Sequence, residues 1–265
     1  MKKHILITGS TDGIGKLAAI KFAKDGHAVY VHGRNSQKVS ATIKEIKSLS
    51  HNDMIEGFIA DFSDLTAVKQ MAKQISEQVS QLDVVINNAG IFKSSVASSK
   101  EGYDLRFAVN YLAPYLLTKE FLPLLKKGAD ARLINLSSAA QSEISYEAML
   151  GKKAVTVNSA YAQSKLALTM WSFYLANQSN KVSVIAVNPG SLLNTKMVTE
   201  AYGQYWSSAD KGADIIYELS ISDKHKGVSG QYFDNDAGIY NKAHADAYND
   251  EAIKKLIEIT EKLIE

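Results

Sequence analysis

The chain has 265 residues, 46% of them hydrophobic and 22% charged, which supplies enough apolar surface for a sizeable core and excludes disorder as its general state. Thirty basic side chains against 28 acidic ones leave a charge of +2, too slight a bias to drive binding to nucleic acid or to an anionic membrane. There are no cysteines, so disulfide scaffolds, thiolate metal sites and cysteine nucleophiles are all excluded.

From the N-terminus onward, short β-type runs alternate with longer segments of helical period. Residues 4–8, 28–32, 54–60, 82–87, 132–136 and 182–187 are predicted strands, with a seventh near 230–233. Residues 14–25, 36–49, 64–80, 103–126 and 159–177 are predicted helices, and 249–265 reads as a closing amphipathic helix. Runs that are apolar on both faces belong to strands covered above and below, hence to a parallel sheet between helices. Strand–helix alternation from the first residue predicts a single doubly wound α/β domain over 1–265, its mostly parallel sheet of seven strands joined by right-handed crossovers. Only Pro114, Pro123 and Pro189 interrupt the chain, and no linker, repeat or low-complexity tract divides it. No apolar stretch reaches the ~20 residues that span a bilayer. The basic opening MKKHILITGS carries an apolar run too short for a signal peptide, so a cytoplasmic, membrane-free location is the expectation.

The first chemical signal is Thr8-Gly9-Ser10-Thr11-Asp12-Gly13-Ile14-Gly15, where strand one turns into helix one. Glycine here serves a tight turn, close approach of backbone to a pyrophosphate, and close helix–sheet packing, with free N–H groups of the helix start facing the phosphates. The bland alternative is an ordinary glycine-rich βα turn. In such a Rossmann arrangement an acidic residue closing strand two binds the adenosine ribose and selects NAD. Here strand two ends Val31-His32-Gly33-Arg34-Asn35, with glycine in that place and Arg34 next to it. A planar guanidinium pairs well with a 2′-phosphate, so NADP(H) is expected over NAD(H), although a solvated surface arginine is the alternative. Downstream, Tyr161 and Lys165 stand four apart on one face of a predicted helix. By itself that pair more often marks a solvated helix face.

With its Gly-x-x-x-Gly-x-Gly spacing at Gly9, Gly13 and Gly15, the chain resembles the short-chain dehydrogenases/reductases, and five separated motifs follow in that family's order. The resemblance implies that the glycine turn, Gly9 to Gly15 with Ser10, Thr11, Asp12 and Ile14, holds the cofactor. NADP-dependent relatives often place a basic residue inside the turn, and Asp12 departs from that. Asp61 and Phe62 resemble the adenine-binding corner, with a helix N-cap motif as the alternative reading. Asn87-Asn88-Ala89-Gly90 resembles the segment that runs beside the cofactor ribose, with Asn88, Ala89 and Gly90 in contact. Leu136-Ser137-Ser138 resembles the strand-five serine, and family usage points to Ser138. Asn110 becomes a fourth catalytic member that braces a proton-relaying water, or else a buried amide that stabilises a kink. Pro189 and Gly190 resemble the turn beside the nicotinamide, and Thr195 is assigned to its carboxamide, one position later than usual; capping of the next helix is the alternative.

The roles follow from chemistry. Hydride transfer to a carbonyl leaves an alkoxide that must be protonated, and an unperturbed phenol titrates near 10. A neighbouring ammonium is expected to bring Tyr161 toward the working range, so that it acts as acid in reduction and base in oxidation. Lys165 supplies that charge and holds the nicotinamide ribose, while Ser138 hydrogen-bonds the substrate oxygen.

Between Ser138 and Tyr161 the chain is longer than in compact relatives, an insertion at about 141–158 that either walls a pocket or covers an oligomer face. A lid is expected at about 191–206, whose Leu193, Met197, Tyr202, Tyr205 and Trp206 suggest a lipophilic or aromatic carbonyl or alcohol substrate unless they pack on the core or on a partner. A homo-dimer or homo-tetramer is the expected assembly, and the six histidines show no metal-ligand spacing. The favoured activity is an NADP(H)-dependent oxidoreductase. A non-catalytic NADP(H)-binding regulator is the alternative, since fold alone does not fix function, and an isomerase or dehydratase is disfavoured by the glycine spacing.

Overall fold

In a computed structural model that describes residues 1–264, eight strands form one sheet. They are β1 His4–Ile7, β2 Ala28–Gly33, β3 Ile55–Ile59, β4 Val84–Asn87, β5 Ala131–Leu136, β6 Val182–Asn188, β7 Gln231–Asp234 and β8 Ile239–Asn241. Their order across the sheet is β3-β2-β1-β4-β5-β6-β7-β8. The first seven run parallel, and β8 returns antiparallel along β7, Tyr240 opposite Phe233. The order reverses between β1 and β4, and it is outside the carboxyl ends of strands at such a switch point that a crevice opens.

The helices are α1 Gly13–Lys24, α2 Ser36–Ser50, α3 Leu65–Gln78, α4 Leu105–Phe107, α5 Ala113–Leu125, α6 Tyr146–Met149, α7 Val157–Gln178, α8 Lys196–Tyr202, α9 Ala209–Ile221 and α10 Asp250–Ile264. The two-residue period of the strands sorts the core into two layers. Ile5, Ile7, Ile86 and Ile134 pack with Phe22 of α1, Ile46 of α2 and Ile216 of α9. Leu6, Val85, Leu133 and Val184 pack on the other face with Val68 of α3, Phe121 of α5 and Leu166 of α7. Because both faces are covered, β2, β4 and β5 are buried from end to end, which is why their apolar residues do not alternate with exposed polar ones.

The structure departs from the expectations at three places. The sheet has eight strands, not seven, because the three-residue β8 is too short to carry a periodic signal. Helix α9 was not anticipated, since Gly212 interrupts its apolar stripe; a Cβ there would come within 2.6 Å of Leu193 and 2.9 Å of Ile14. The single helix expected over 103–126 is α4 and α5 separated by a π-helical turn, Ala108–Leu112. Pro114 removes one amide donor just beyond that turn, and Asn110 within it turns its amide to neighbouring elements. The closing helix is described as far as Ile264, and Glu265 lies outside the described residues.

The insertion at 141–158 contains α6 and packs on the core, with Ala148 and Met149 buried and the Gln163 side chain of α7 accepting from the Ser145 amide. None of its residues lines the cleft described below. Among the described residues, no helix is long and apolar enough to cross a membrane.

Candidate active site

A cleft of about 670 Å³ runs along the carboxyl ends of β1, β2, β4, β5 and β6. Its floor at one end is the turn between β1 and α1. Gly9 sits at φ +62°, and a Cβ on it would come within 2.7 Å of the Ala89 Cα. At Gly15 a Cβ would stand 2.4 Å from Asn88 Nδ2, the atom that donates to the carbonyl oxygens of Thr8 and Gly9. The glycines therefore let three chain segments meet with no side chain between them. Helix α1 starts at Gly13, whose amide is capped by the Asp12 carboxylate at 2.8 Å. The amides of Ile14 and Gly15, in that first turn, have no carbonyl four residues back inside the helix and suit a phosphate.

The end of the cleft beside β2 has no carboxylate on that strand. A Cβ at Gly33 would be 2.6 Å from Thr11 Cγ2, so a side chain there would have to displace that of Thr11. Arg34, Asn35 and Lys38 line the cleft beside it, with Asp61 and Phe62 opposite. Lys38 was not singled out from the sequence, although its place four residues after Arg34, in the first turn of α2, was a readable signal. Ser10 does not face the cleft. It is buried, donating from Oγ to the Ile7 carbonyl and accepting from the His32 amide, because the tight turn directs its side chain under the loop.

At the other end, α7 presents Tyr161 to the cleft with Ser138 and, across it, Phe92 and Leu193. Ser137 and Ser138 both border the cleft but are held differently. Ser137 is buried and tied to Thr169 Oγ1 at 2.6 Å, whereas Ser138 lies at the cleft wall. Phe92, which follows the Asn87–Gly90 segment and was also missed, sets its ring edge-on to Tyr161, centroids 4.9 Å apart, and reaches Tyr202 of the lid at 5.5 Å. Thr195 lines the cleft, and its Oγ1 caps α8 by accepting from the Val198 amide; Asn194 is exposed.

Lys165 and Asn110 stand behind this surface. The Lys165 ammonium is buried, donates to the Leu136 carbonyl at 2.7 Å and lies 5.5 Å from the centre of the Tyr161 ring. Asn110 accepts from the Ile91 amide at 2.8 Å and donates to the Ile91 carbonyl at 3.1 Å and to Ser164 Oγ at 2.9 Å. Its amide thus fastens the loop after β4 to α7. Asn110 Oδ1 and Lys165 Nζ both crowd the face of Gly90, at 3.3 and 3.4 Å from where a Cβ would be.

The electrostatics correct one expectation. Burial pushes the Tyr161 phenol up to about 12, a rise that the Ser138 hydroxyl opposes and Tyr202 adds to. Burial also pulls Lys165 down to about 8. Burial is the largest influence on the phenol, and the ammonium behind the ring is held by the Leu136 carbonyl. At neutral pH the site holds a protonated phenol in front of a charged amine.

Among the described residues, no group of histidine and acidic side chains is arranged to hold a metal ion. A model of the family described as short chain dehydrogenase matches residues 3–206. Human retinol dehydrogenase 13 is 30% identical over 273 residues, covering 96% of this chain and 81% of that protein. Human polyprenol dehydrogenase is 29% identical over 252 residues, covering 87% of this chain and 76% of that one. Among solved structures, a short chain dehydrogenase from Shigella flexneri complexed with NADP aligns with a TM-score of 0.70 at 28% identity, over 88% of this chain and 97% of that chain.

Proposed function

The chain belongs to the short-chain dehydrogenase family, and from that premise we propose that it is an NADP(H)-dependent oxidoreductase that interconverts a lipophilic carbonyl compound and its alcohol. The observation that carries this reading is the shape of one cleft: Arg34 and Lys38 at the end where β2 closes on Gly33 and supplies no carboxylate, Tyr161 and Ser138 at the other. Residues of the glycine turn would hold the pyrophosphate, Arg34 and Lys38 the 2′-phosphate, and Pro189, Gly190 and Thr195 the nicotinamide end. When bound, the cofactor supplies or accepts the hydride.

The protein's own groups manage the proton. In reduction, Tyr161 gives its phenolic proton to the substrate oxygen as the hydride reaches the carbon, so the C=O bond becomes a C–H and an O–H. Ser138 donates a hydrogen bond to the same oxygen and shares the charge developing there. The buried Lys165 ammonium stabilises the phenolate left on Tyr161 by a through-space attraction that low-dielectric surroundings strengthen. Phe92, Leu193, Met197 and Val198 make the substrate end apolar, which is the basis for a lipophilic substrate; the retinol and polyprenol in the names of two relatives are alcohols of that character.

The test is a panel of ketones, aldehydes, quinones and steroids, each run with NADPH and NADH in parallel. Oxidation of NADPH by lipophilic carbonyls, with NADH slower, is expected. A protein that binds neither nucleotide overturns the reading.

A further inference from the structure

His32, in β2 just before Gly33, is 3% exposed, and its ring is used on three sides. Nδ1 accepts the Gly9 amide hydrogen at 3.0 Å, Nε2 meets the Ala60 carbonyl oxygen at 3.1 Å, and the ring face stacks on Phe62 with centroids 4.3 Å apart and planes 16° from parallel. The backbone completes the clamp. The His32 amide donates to Ser10 Oγ at 2.9 Å, and its carbonyl accepts the Ser10 amide at 2.9 Å. A carbonyl oxygen only accepts, so Nε2 carries the hydrogen; an amide N–H only donates, so Nδ1 is bare. One neutral tautomer satisfies both neighbours, and an imidazolium would set a second N–H against that of Gly9.

We propose that His32 is a positioning residue for the adenosine half of the cofactor, a neutral imidazole strut that sets the spacing between the glycine turn after β1 and the Ala60–Phe62 corner after β3. The proposal rests on the reading of this cleft as an NADP(H) site. Gly9, Ala60, Asp61 and Phe62 all line the cleft, and His32 touches three of them. Gly9 has no freedom to drift toward β4, since Ala89 already closes that side. An apolar side chain of similar volume would keep the packing and leave the Gly9 amide and the Ala60 carbonyl without partners. Burial holds the ring down to about 4 against the opposing pull of the Ala60 carbonyl and the Asp61 carboxylate, so the neutral form persists at neutral pH.

The experiment compares the full chain with His32→Leu, His32→Asn and His32→Gln, titrating each with NADPH by fluorescence and with 2′,5′-ADP by calorimetry. Asparagine keeps an acceptor near the place of Nδ1, and glutamine keeps a donor near that of Nε2. His32→Leu is expected to weaken both ligands by about tenfold or more, the scale of one lost hydrogen bond. His32→Asn recovers most of that loss, while turnover at saturating NADPH stays within about twofold of wild type on any substrate found. A folded His32→Leu protein that binds NADPH like wild type overturns the proposal, as does an Asn variant no better than Leu. Should the Leu variant not fold, equal nucleotide affinities in the Asn, Gln and wild-type proteins overturn it. Failure of the wild-type chain to bind either ligand is a different result, since it removes the cofactor reading itself.

Discussion

The two ends of the cleft are built to different rules. At the adenosine end the backbone itself is the wall: Gly9, Gly15 and Gly33 leave no gap that even a methyl group would fit, and Asn88 and His32 tie β1, β2 and β4 to the turn. At the substrate end the wall is largely a flap. Helix α8 buries none of its residues, and Lys93 reaches from the body to the carbonyls of Glu200 and Ala201 at its end. The flap's base is pinched shut by a bridge between Leu193 and Ser207, with Leu192 held at φ +46°. Trp206 beside it is 73% exposed. A rigid cradle suits a ligand that never changes, whereas a loosely packed flap can admit substrates of varied shape. The contrast predicts that affinity for the cofactor and choice of substrate are separable, which substitutions at each end test.

The sharpest break between the ends is expected from Tyr161→Phe. It removes the proton donor, so turnover is expected to fall by about 10²–10⁴-fold, with a far smaller change in NADPH affinity measured by fluorescence titration. Retained turnover on a substrate the wild type reduces would refute Tyr161 as the acid. Next in size is Arg34→Ala, which deletes a charge-assisted contact to a 2′-phosphate. NADPH binding is expected to weaken by about 10–100-fold with NADH unchanged; equal losses for both nucleotides would place Arg34 outside the phosphate site.

A third effect concerns pH. Lys165 is charged below about 8 and neutral above it. Since the ammonium supports the phenolate formed in reduction, the rate of reduction is expected to hold below that pH and to fall by about tenfold for each unit above it. Lys165→Arg, which stays charged, moves this limb to higher pH. A flat profile from pH 6 to 10 in the wild type would remove the lysine's charge from the chemical step. The smallest change is Lys93→Ala, a surface contact expected to alter the substrate KM by no more than about threefold, with NADPH affinity untouched. An equal shift in both constants would mean that flap and cradle are coupled.

The strands were legible because burial on both faces leaves apolar residues that do not alternate with exposed polar ones, as in β2 and β5, and the switch point followed from their order. Helix α9 escaped because Gly212 sits where Leu193 and Ile14 press against the backbone, a contact between segments far apart in the chain. At the site, Tyr161 and Ser138 were found from local spacing and motif position. Ser10, by contrast, belongs to the same short motif as Gly9 yet faces inward, since the direction of a side chain in a turn depends on the backbone path and not on residue type.

Sequence alone determined the alternating architecture, the glycine turn, and the residue types at both ends of the cleft, because periodicity and glycine placement are local constraints that each segment obeys by itself. Only the tertiary structure decided that Asn110 fastens a loop across a π turn, that Lys165 aims at a strand carbonyl, and that burial raises the phenol it stands behind. Hydrogen-bond partners and desolvation are set by which distant segments meet, and that is a property of the packed chain as a whole.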